Sequence, residues 1–557
     1  MKHTLHIVII FILAHLSSPV GAETEIRIFL FTDRQVYITG EAIAFNCTMH
    51  KESQKYQVGD KLLFLELYSS GNEQIAAHKL LAVNGQFNGY IDIPEELKTG
   101  YYYLIASVSC PGPGGIVRSV AKPILVFNPY NSEVLNGNTA LVDTIGYRSD
   151  TIAADGSGLV NIQLNSDSVS TRQSVQITLH VKDSMISRLQ QGILTVAPAA
   201  LMNGPGNVYS GTVERPSNAQ SGAPESYGVM LIGKVTSPNG VNRPVEVNMT
   251  ILDKQTSEFY PRYSDSAGHF SFIMPRYYGR RDLFISANPN DPELELLIDN
   301  DFPRAHLKLE PPPLEMSNAL ENAVLLLAAN LKIQRHFYPG MITGLALDTD
   351  SSVTASVPFY GEPDVTIDID EYIEMQTLAD YFTELLVPVR IKKVDGKRNL
   401  IVTGEISQLN IYPPLVMVDY VPVYSDENVL DLDPQRIKKV DIVSSLYVRG
   451  DIIYGGIINV ISRTHDFAGI KLPEKGLFID YQFLSQSDEL RLTDAYQEEL
   501  PDPRSTLYWN ANLNLSEMDS RSITFQAGDS RGEYLIRLSL VDAEGELIEL
   551  EKKFTIF

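Results

Sequence analysis

A serine with a glycine two positions away on each side can serve as a nucleophile, and Gly528-Asp529-Ser530-Arg531-Gly532 has that spacing. Such an elbow needs a strand before the serine, a helix after it, and a histidine further on to take the hydroxyl proton. Here the residues on both sides, Ile523-Thr524-Phe525 and 534–540, alternate as strands do. No histidine follows Ser530. The segment therefore reads as a hairpin turn. Gly228 and Gly233-Lys234 have the spacing of a phosphate-binding loop, but Val229, Met230, Leu231 and Ile232 between them are apolar. Val235 stands where a magnesium-binding hydroxyl is required, so a strand is expected there.

Metal chemistry fares no better. His50, His78, His180, His269, His306, His336 and His465 are scattered, and neither HExxH nor paired CxxC occurs. Asp364, Asp368, Asp370 and Glu371 form an acidic cluster. Alternate acids on a strand share a face, so Asp368 and Asp370 could share calcium, although a solvated acidic edge is the simpler reading. No catalytic residue, cofactor or metal is expected. The two cysteines, Cys47 and Cys110, lie near the ends of candidate strands in one small unit. They could form a disulfide in an oxidising compartment or remain two buried thiols.

The N-terminus sets the expected compartment. Lys2, an apolar run over residues 7–14, and Val20-Gly21-Ala22 form a secretory signal peptide over 1–22. The apolar run is shorter than the roughly 20 residues of a spanning helix. No other transmembrane segment is expected, because the most apolar internal run, 323–329, has the length of a core helix. The net charge of −24 disfavours nucleic acid and anionic lipid.

The elements that must carry these residues are mostly strands. Residues 23–128 show strands parted by turn residues, with Asn84-Gly85 as a hairpin signal. The string Thr32-Asp33-Arg34, Tyr37, Gly40-Glu41 and Phe45, followed by Gly85-Gln86-Phe87, Gly89, Ile93-Pro94, Leu97 and Thr99-Gly100-Tyr101, resembles the macroglobulin-type domain. That domain implies a β-sandwich. The thioester of protease-trapping macroglobulins is not implied, because no Cys-x-Glu-Gln is present. After a polar linker, 157–205 reads as a second, degenerate sandwich, with Val175, Ile177, Leu179 and Val181 on one face of a strand.

Residues 227–303, with Gly233-Lys234-Val235, Arg243-Pro244-Val245, Asp265, Gly268, Phe270 and Phe272, resemble the carboxypeptidase-regulatory-like domain. Residues 316–340 read as a helical connector opened by Asn318 and Glu321, and 371–386 as a second helix. Within 365–465, the strand ending at Asp419, then Val440-Asp441-Ile442-Val443 and Tyr454-Gly455-Gly456 through Arg463, resemble the plug of TonB-dependent receptors. Asp419-Tyr420 stands where that family usually has Asp-Gly. Fewer than about a hundred residues follow Arg463, enough for at most about ten spanning strands, against about 22 in such a receptor. The expected unit is a plug without a barrel. Residues 475–557 read as a C-terminal sandwich in which Trp509 is a core anchor, and Pro501-Asp502-Pro503-Arg504-Ser505-Thr506 resembles a segment of macroglobulin-like envelope proteins of Bacteroidota. Residues 304–364 are the least explained part of the chain.

Together these readings imply a mainly β, multidomain chain: serial immunoglobulin-, macroglobulin- or transthyretin-like sandwiches plus one small α/β plug-like domain. The resemblances imply a Bacteroidota cell-envelope scaffold or binding protein, exported to the periplasm or surface and held at an outer-membrane transport or assembly complex. Tyr420, Tyr424 and Tyr447 are expected as exposed partner contacts. The alternative is an accessory subunit of a peptidase, or a thioester-less macroglobulin-like protease-binding protein.

Overall fold

The computed structural model describes residues 26–51, 59–109, 116–135, 148–149, 154–155, 160–182, 189–202, 209–214, 229–241, 243–252, 257–288, 291, 293–302, 316–338, 345–346, 357–404, 409, 411–487, 499–515 and 520–557. The expected signal peptide and Cys110 lie outside these residues. The chain is mainly β and multidomain, with β-sandwiches and one small α/β unit. Among the described residues, no helix is long and apolar enough to cross a membrane.

Alternating apolar residues build the N-terminal sandwich. Ile26–Thr32, Ala42–Lys51 and Gln86–Asp92 form one sheet. Gln74–Ala82, Lys61–Ser69, Gly100–Ser109 and Ile116–Phe127 dominate the other. Ile43, Phe45 and Cys47 from the first sheet meet Leu63, Leu65 and Leu104 from the second. Asn84 and Gly85 both adopt positive φ, 52° and 76°, as the tight turn expected there requires.

Segments 157–205 and 475–557, expected as two sandwiches, build one, except that Leu477–Gln482 belongs elsewhere. Ser174–Val181 pairs with Ser520–Gln526. Leu189–Pro198 lies between Tyr508–Asn514 and Gly532–Asp542. Val175, Ile177 and Leu179 share a single core with Ile523, Phe525, Ile536 and Leu538. Neither half carries enough sheet to bury its own apolar face, so the halves cover each other. Everything between them in sequence is an insertion.

The insertion repeats the arrangement on a smaller scale. In the middle sandwich, Met230–Thr236 lies between His269–Ile273 and Glu295–Ile298. Its second sheet runs Glu258–Tyr263, Glu246–Leu252, Arg280–Asn288, and ends on Leu477–Gln482, nearly 190 residues after its neighbour. The α/β unit is inserted before that last strand. Its five-stranded sheet runs Val365–Asp368, Ile437–Val443, Ile457–Ser462, Leu415–Val418, Val421–Pro422. One face packs on helices Leu378–Glu384 and Asp426–Leu430, and the other on a cluster that includes Phe259 of the middle sandwich. Burial on both faces explains why Leu415–Val418 and Ile457–Ser462 are buried at every position.

Two helices differ from their sequence reading. The helix expected over 371–386 spans only Leu378–Glu384. Thr377 and Asp380 cap each other's backbone and fix its start there, while Asp368 caps a separate turn, Ile369–Glu371. The other helix, Asn318–Phe337, is capped by Ser317, whose side chain accepts from the Leu320 amide, not by Asn318. It docks on the N-terminal sandwich, with Val324, Leu327 and Leu331 against Val36, Ile38, Leu125 and Phe127.

Candidate functional site

Two of the sequence signatures meet in space. The first follows the strand Ile26–Thr32, where the chain turns back at Gly40 (φ 81°). This turn brings Asp33, Arg34, Tyr37 and Glu41 into one buried cluster. Asp33 accepts from Tyr37 Oη (2.7 Å), the Ala44 amide (3.2 Å) and Arg34 Nε (3.2 Å). Arg34 Nη2 donates to Glu41 Oε1 (3.1 Å), and Glu41 Oε2 accepts the Ile38 amide (2.8 Å). Burial works against the Arg34 charge, but Glu41 and Asp33 outweigh it and hold the guanidinium above its ordinary range. Burial pushes Glu41 upward.

The second signature supplies the partner. Thr506 Oγ1 donates to Asp33 Oδ2 at 2.5 Å, and Thr195 Oγ1 donates to the Asp33 carbonyl. Beside them Arg504 makes a buried pair with Asp502, with Nη2 to Oδ2 at 2.6 Å. Arg172 then forks onto Asp529, at 2.6 and 2.7 Å. Asn330 of the long helix donates to Ser530 Oγ (3.2 Å). A cavity of about 50 Å³ lies among Arg34, Glu41, Asn330, Gln334 and Arg504. Arg34 Nη1 has no partner among the described residues and is buried beside this cavity. The space suits one or a few waters. The arrangement is a polar lock between the N-terminal and composite sandwiches.

The residues singled out in the sequence fall as follows. Ser530 sits in the turn between Ser520–Gln526 and Gly532–Asp542, with its Oγ engaged by Asn330, so the elbow is excluded by the strand that follows it. Val229 to Lys234 is strand and its start, not a phosphate loop. Asp370 is forked onto Arg463, and Asp364 accepts the amide and hydroxyl of Ser444. Asp364 and Asp370 are thus tied to their own chain. Among the described residues no three metal-ligating side chains are grouped to hold an ion. Cys47 is a buried thiol, and burial pushes it up to about 12. Trp509 is half-buried beside Phe31, Ile193 and Ala511, at the seam of two sandwiches and not at the centre of one.

The three tyrosines expected to be exposed are not. Tyr420 is buried against Tyr360, with ring centroids 6.1 Å apart. The Tyr424 hydroxyl meets Asn248 (2.9 Å) and Ser286 (2.8 Å) of the middle sandwich. Tyr447 donates to the Phe359 carbonyl (3.2 Å). The reason is the nested insertion, which gives the α/β unit a neighbour within its own chain for these amphipathic rings.

A second junction joins the N-terminal sandwich to the returning strand of the middle one. Lys79 Nζ donates to Asp301 (2.5 Å) and to the Gln482 carbonyl (2.7 Å), and lies over the Tyr481 ring. His78 Nδ1 meets Ser485 Oγ at 3.0 Å, and burial pulls its pKa down to about 4. On the same sheet, burial pushes Glu66 up to about 7. These two groups tilt stability in opposite directions. The unfolded His78 binds a proton below its ordinary 6.5 while the folded one waits until about 4, so folding weakens as pH falls across that window. The unfolded Glu66 ionises above its ordinary 4.5 while the folded one waits until about 7, so folding weakens as pH rises. Each effect is of order 3 kcal/mol. Urea midpoints at pH 4.5 and 7 should therefore move in opposite senses in the two variants. His78→Asn gains relative stability at pH 4.5, and Glu66→Gln gains it at pH 7. Equal shifts at both pH values would refute the assignment.

No family model matches the chain, and no curated protein matches it. Among solved structures, the chain is similar to Salmonella alpha-2-macroglobulin reacted with methylamine, at 12% identity and a TM-score of 0.24, over 96% of this chain and 40% of that one. It is also similar to the native conformation of E. coli alpha-2-macroglobulin, at 9% identity and a TM-score of 0.22, over 96% and 40%. A red sea bream transglutaminase aligns over 50% of this chain and 31% of its own, at 8% identity and a TM-score of 0.13. The chain spans about 40% of the length of these macroglobulins.

Sequence reading missed Arg172, Asn330 and Asp529 at the lock. Their one local signal was that Asp529 lies inside the glycine-flanked turn, where a charged side chain is free to reach a distant arginine.

Proposed function

We propose that this chain is a non-catalytic, exported cell-envelope scaffold that presents its α/β unit to an outer-membrane protein complex. The observation that carries the proposal is the double insertion. The α/β unit is inserted in the middle sandwich and packs on it, that sandwich is inserted in the composite one, and polar contacts tie both sandwiches to the N-terminal one. Such an architecture fixes one unit in space relative to another, which is what a platform needs and what a hydrolase with a free nucleophile does not. The expected signal peptide supplies export, and the plug resemblance of 365–465 supplies the outer membrane. Affinity purification of the tagged protein from detergent-solubilised outer membranes should recover a stoichiometric integral outer-membrane partner. Recovery of the protein alone, at every detergent tried, would overturn the proposal. Capture of a soluble protease in place of a membrane protein would favour the protease-binding alternative.

A further inference from the structure

The chain carries a net charge of −24, yet one small element has the opposite sign. The hairpin of Val389–Val394 and Lys397–Val402 holds Arg390, Lys392, Lys393, Lys397 and Arg398 against a single acid, Asp395. Asp395 and Gly396 make its two-residue turn, with φ of 52° and 82°. Arg398 is neutralised by Glu427 and Asp431. Arg390, Lys392, Lys393 and Lys397 are exposed, and among the described residues no carboxylate pairs with them.

The backbone of the hairpin is as uneven as its charge. The residues flanking a two-residue turn form a hydrogen-bonded pair, and bonded and non-bonded pairs then alternate. With Val394 opposite Lys397, the amides of Arg398 and Leu400 must point outward on one strand, and those of Ile391 and Lys393 on the other. The first edge is closed: Glu427 accepts the Arg398 amide (3.3 Å) and Asp426 accepts the Leu400 amide (2.7 Å). Among the described residues, nothing accepts from Ile391 or Lys393. An unpaired edge strand recruits another strand, and its side chains choose which.

We propose that the Val389–Val394 edge takes up an acidic, extended peptide segment of a partner protein by strand addition. This rests on the scaffold reading and names the kind of contact it uses. A peptide suits the site better than a membrane surface. Screening confines the basic side chains to about 8 Å, so a narrow strand meets the hairpin alone, whereas a flat anionic surface also meets the acidic remainder of the chain. Carboxylates at alternate positions would meet Arg390 and Lys392, which share the outer face.

The test uses the full chain and a labelled (Val-Glu)4 peptide, with (Val-Gln)4 as the neutral control and phosphatidylglycerol vesicles as the membrane probe. Fluorescence anisotropy should show (Val-Glu)4 binding at least about tenfold tighter than the control. The pair Arg390→Glu and Lys392→Glu should weaken it by a similar factor. Lys393→Pro removes an outward amide together with one charge, and should weaken binding more than Lys393→Gln, which removes the charge alone, without lowering the melting temperature. Hydrogen exchange should slow at Ile391 and Lys393 when peptide is bound. Affinity unchanged in both variants, or protection elsewhere, overturns the proposal, as does binding to the vesicles in preference to the peptide. If outer-membrane partners co-purify equally well with the hairpin variants, this contact falls while the scaffold reading stands.

Discussion

Replacing Asp33 with alanine should cost about 3–5 kcal/mol of stability, the usual loss when one partner of a buried ion pair is removed. Asp33 is 2% exposed, and its carboxylate receives Tyr37, Arg34, the Ala44 amide and Thr506 at once. Without it the Arg34 guanidinium keeps only Glu41 as a counter-charge in an enclosed space. Thr506→Val removes one of the four donors and should cost about 2 kcal/mol, typical of a hydrogen bond to a charged group. The double variant should lose less than the sum, since both changes cut one contact. Urea denaturation of the four proteins measures this directly. Full additivity would mean that the two signatures stand side by side without holding each other.

The second large effect belongs to Asp419. This residue and Tyr420 form the two-residue turn between Leu415–Val418 and Val421–Pro422, with φ of 48° and 67°. Aspartate tolerates the left-handed region, whereas a tyrosine there costs about 1–2 kcal/mol. The strain at Tyr420 is offset by its amide bond to Asn459 Oδ1 (3.2 Å) and by its ring against Tyr360. Asp419 makes the turn worth holding, because its carboxylate accepts from Ser462 N (2.8 Å), Ser462 Oγ (2.6 Å) and Phe467 N (2.8 Å). Asp419→Ala leaves these donors without an acceptor and should destabilise the α/β unit by about 3–5 kcal/mol. Asp419→Asn keeps one acceptor and should cost about half as much. Amide exchange over 457–467 is the readout, and protection there unchanged in the alanine variant would refute the role.

The strands were largely legible because alternation is a local property. Val175, Ile177, Leu179 and Val181 announced a half-buried strand, and the structure buries all four. What alternation cannot convey is which strand lies alongside. Ser174–Val181 pairs with Ser520–Gln526, and nothing near either segment encodes the other. The Asp33 and Arg504 strings were visible as signatures, but their meeting depends on that same non-local pairing. The tyrosines were misplaced for the related reason that an amphipathic ring looks alike whether it faces water or a neighbouring unit. Helix length failed at Thr377 because a capping box outweighed an apolar stripe that continued upstream of it.

The nesting also fixes an order in time. The sheet of the α/β unit is complete once Ser462 has been synthesised, the middle sandwich once Gln482 has, and the composite sandwich only when Leu547–Ile556 leaves the ribosome. Closing so long an excursion costs little at equilibrium, since each doubling of a loop adds about 0.6 kcal/mol, but it delays the first productive encounter. Val175, Ile177 and Leu179 therefore remain without a cover through most of translation. A chain halted before residue 520 leaves that greasy strand for chaperones or proteases to find, while the innermost unit already has all the strands of its sheet. Among the nested units the order of completion along the chain runs from the inside outward, and the Asp33–Thr506 contact belongs to the last of them.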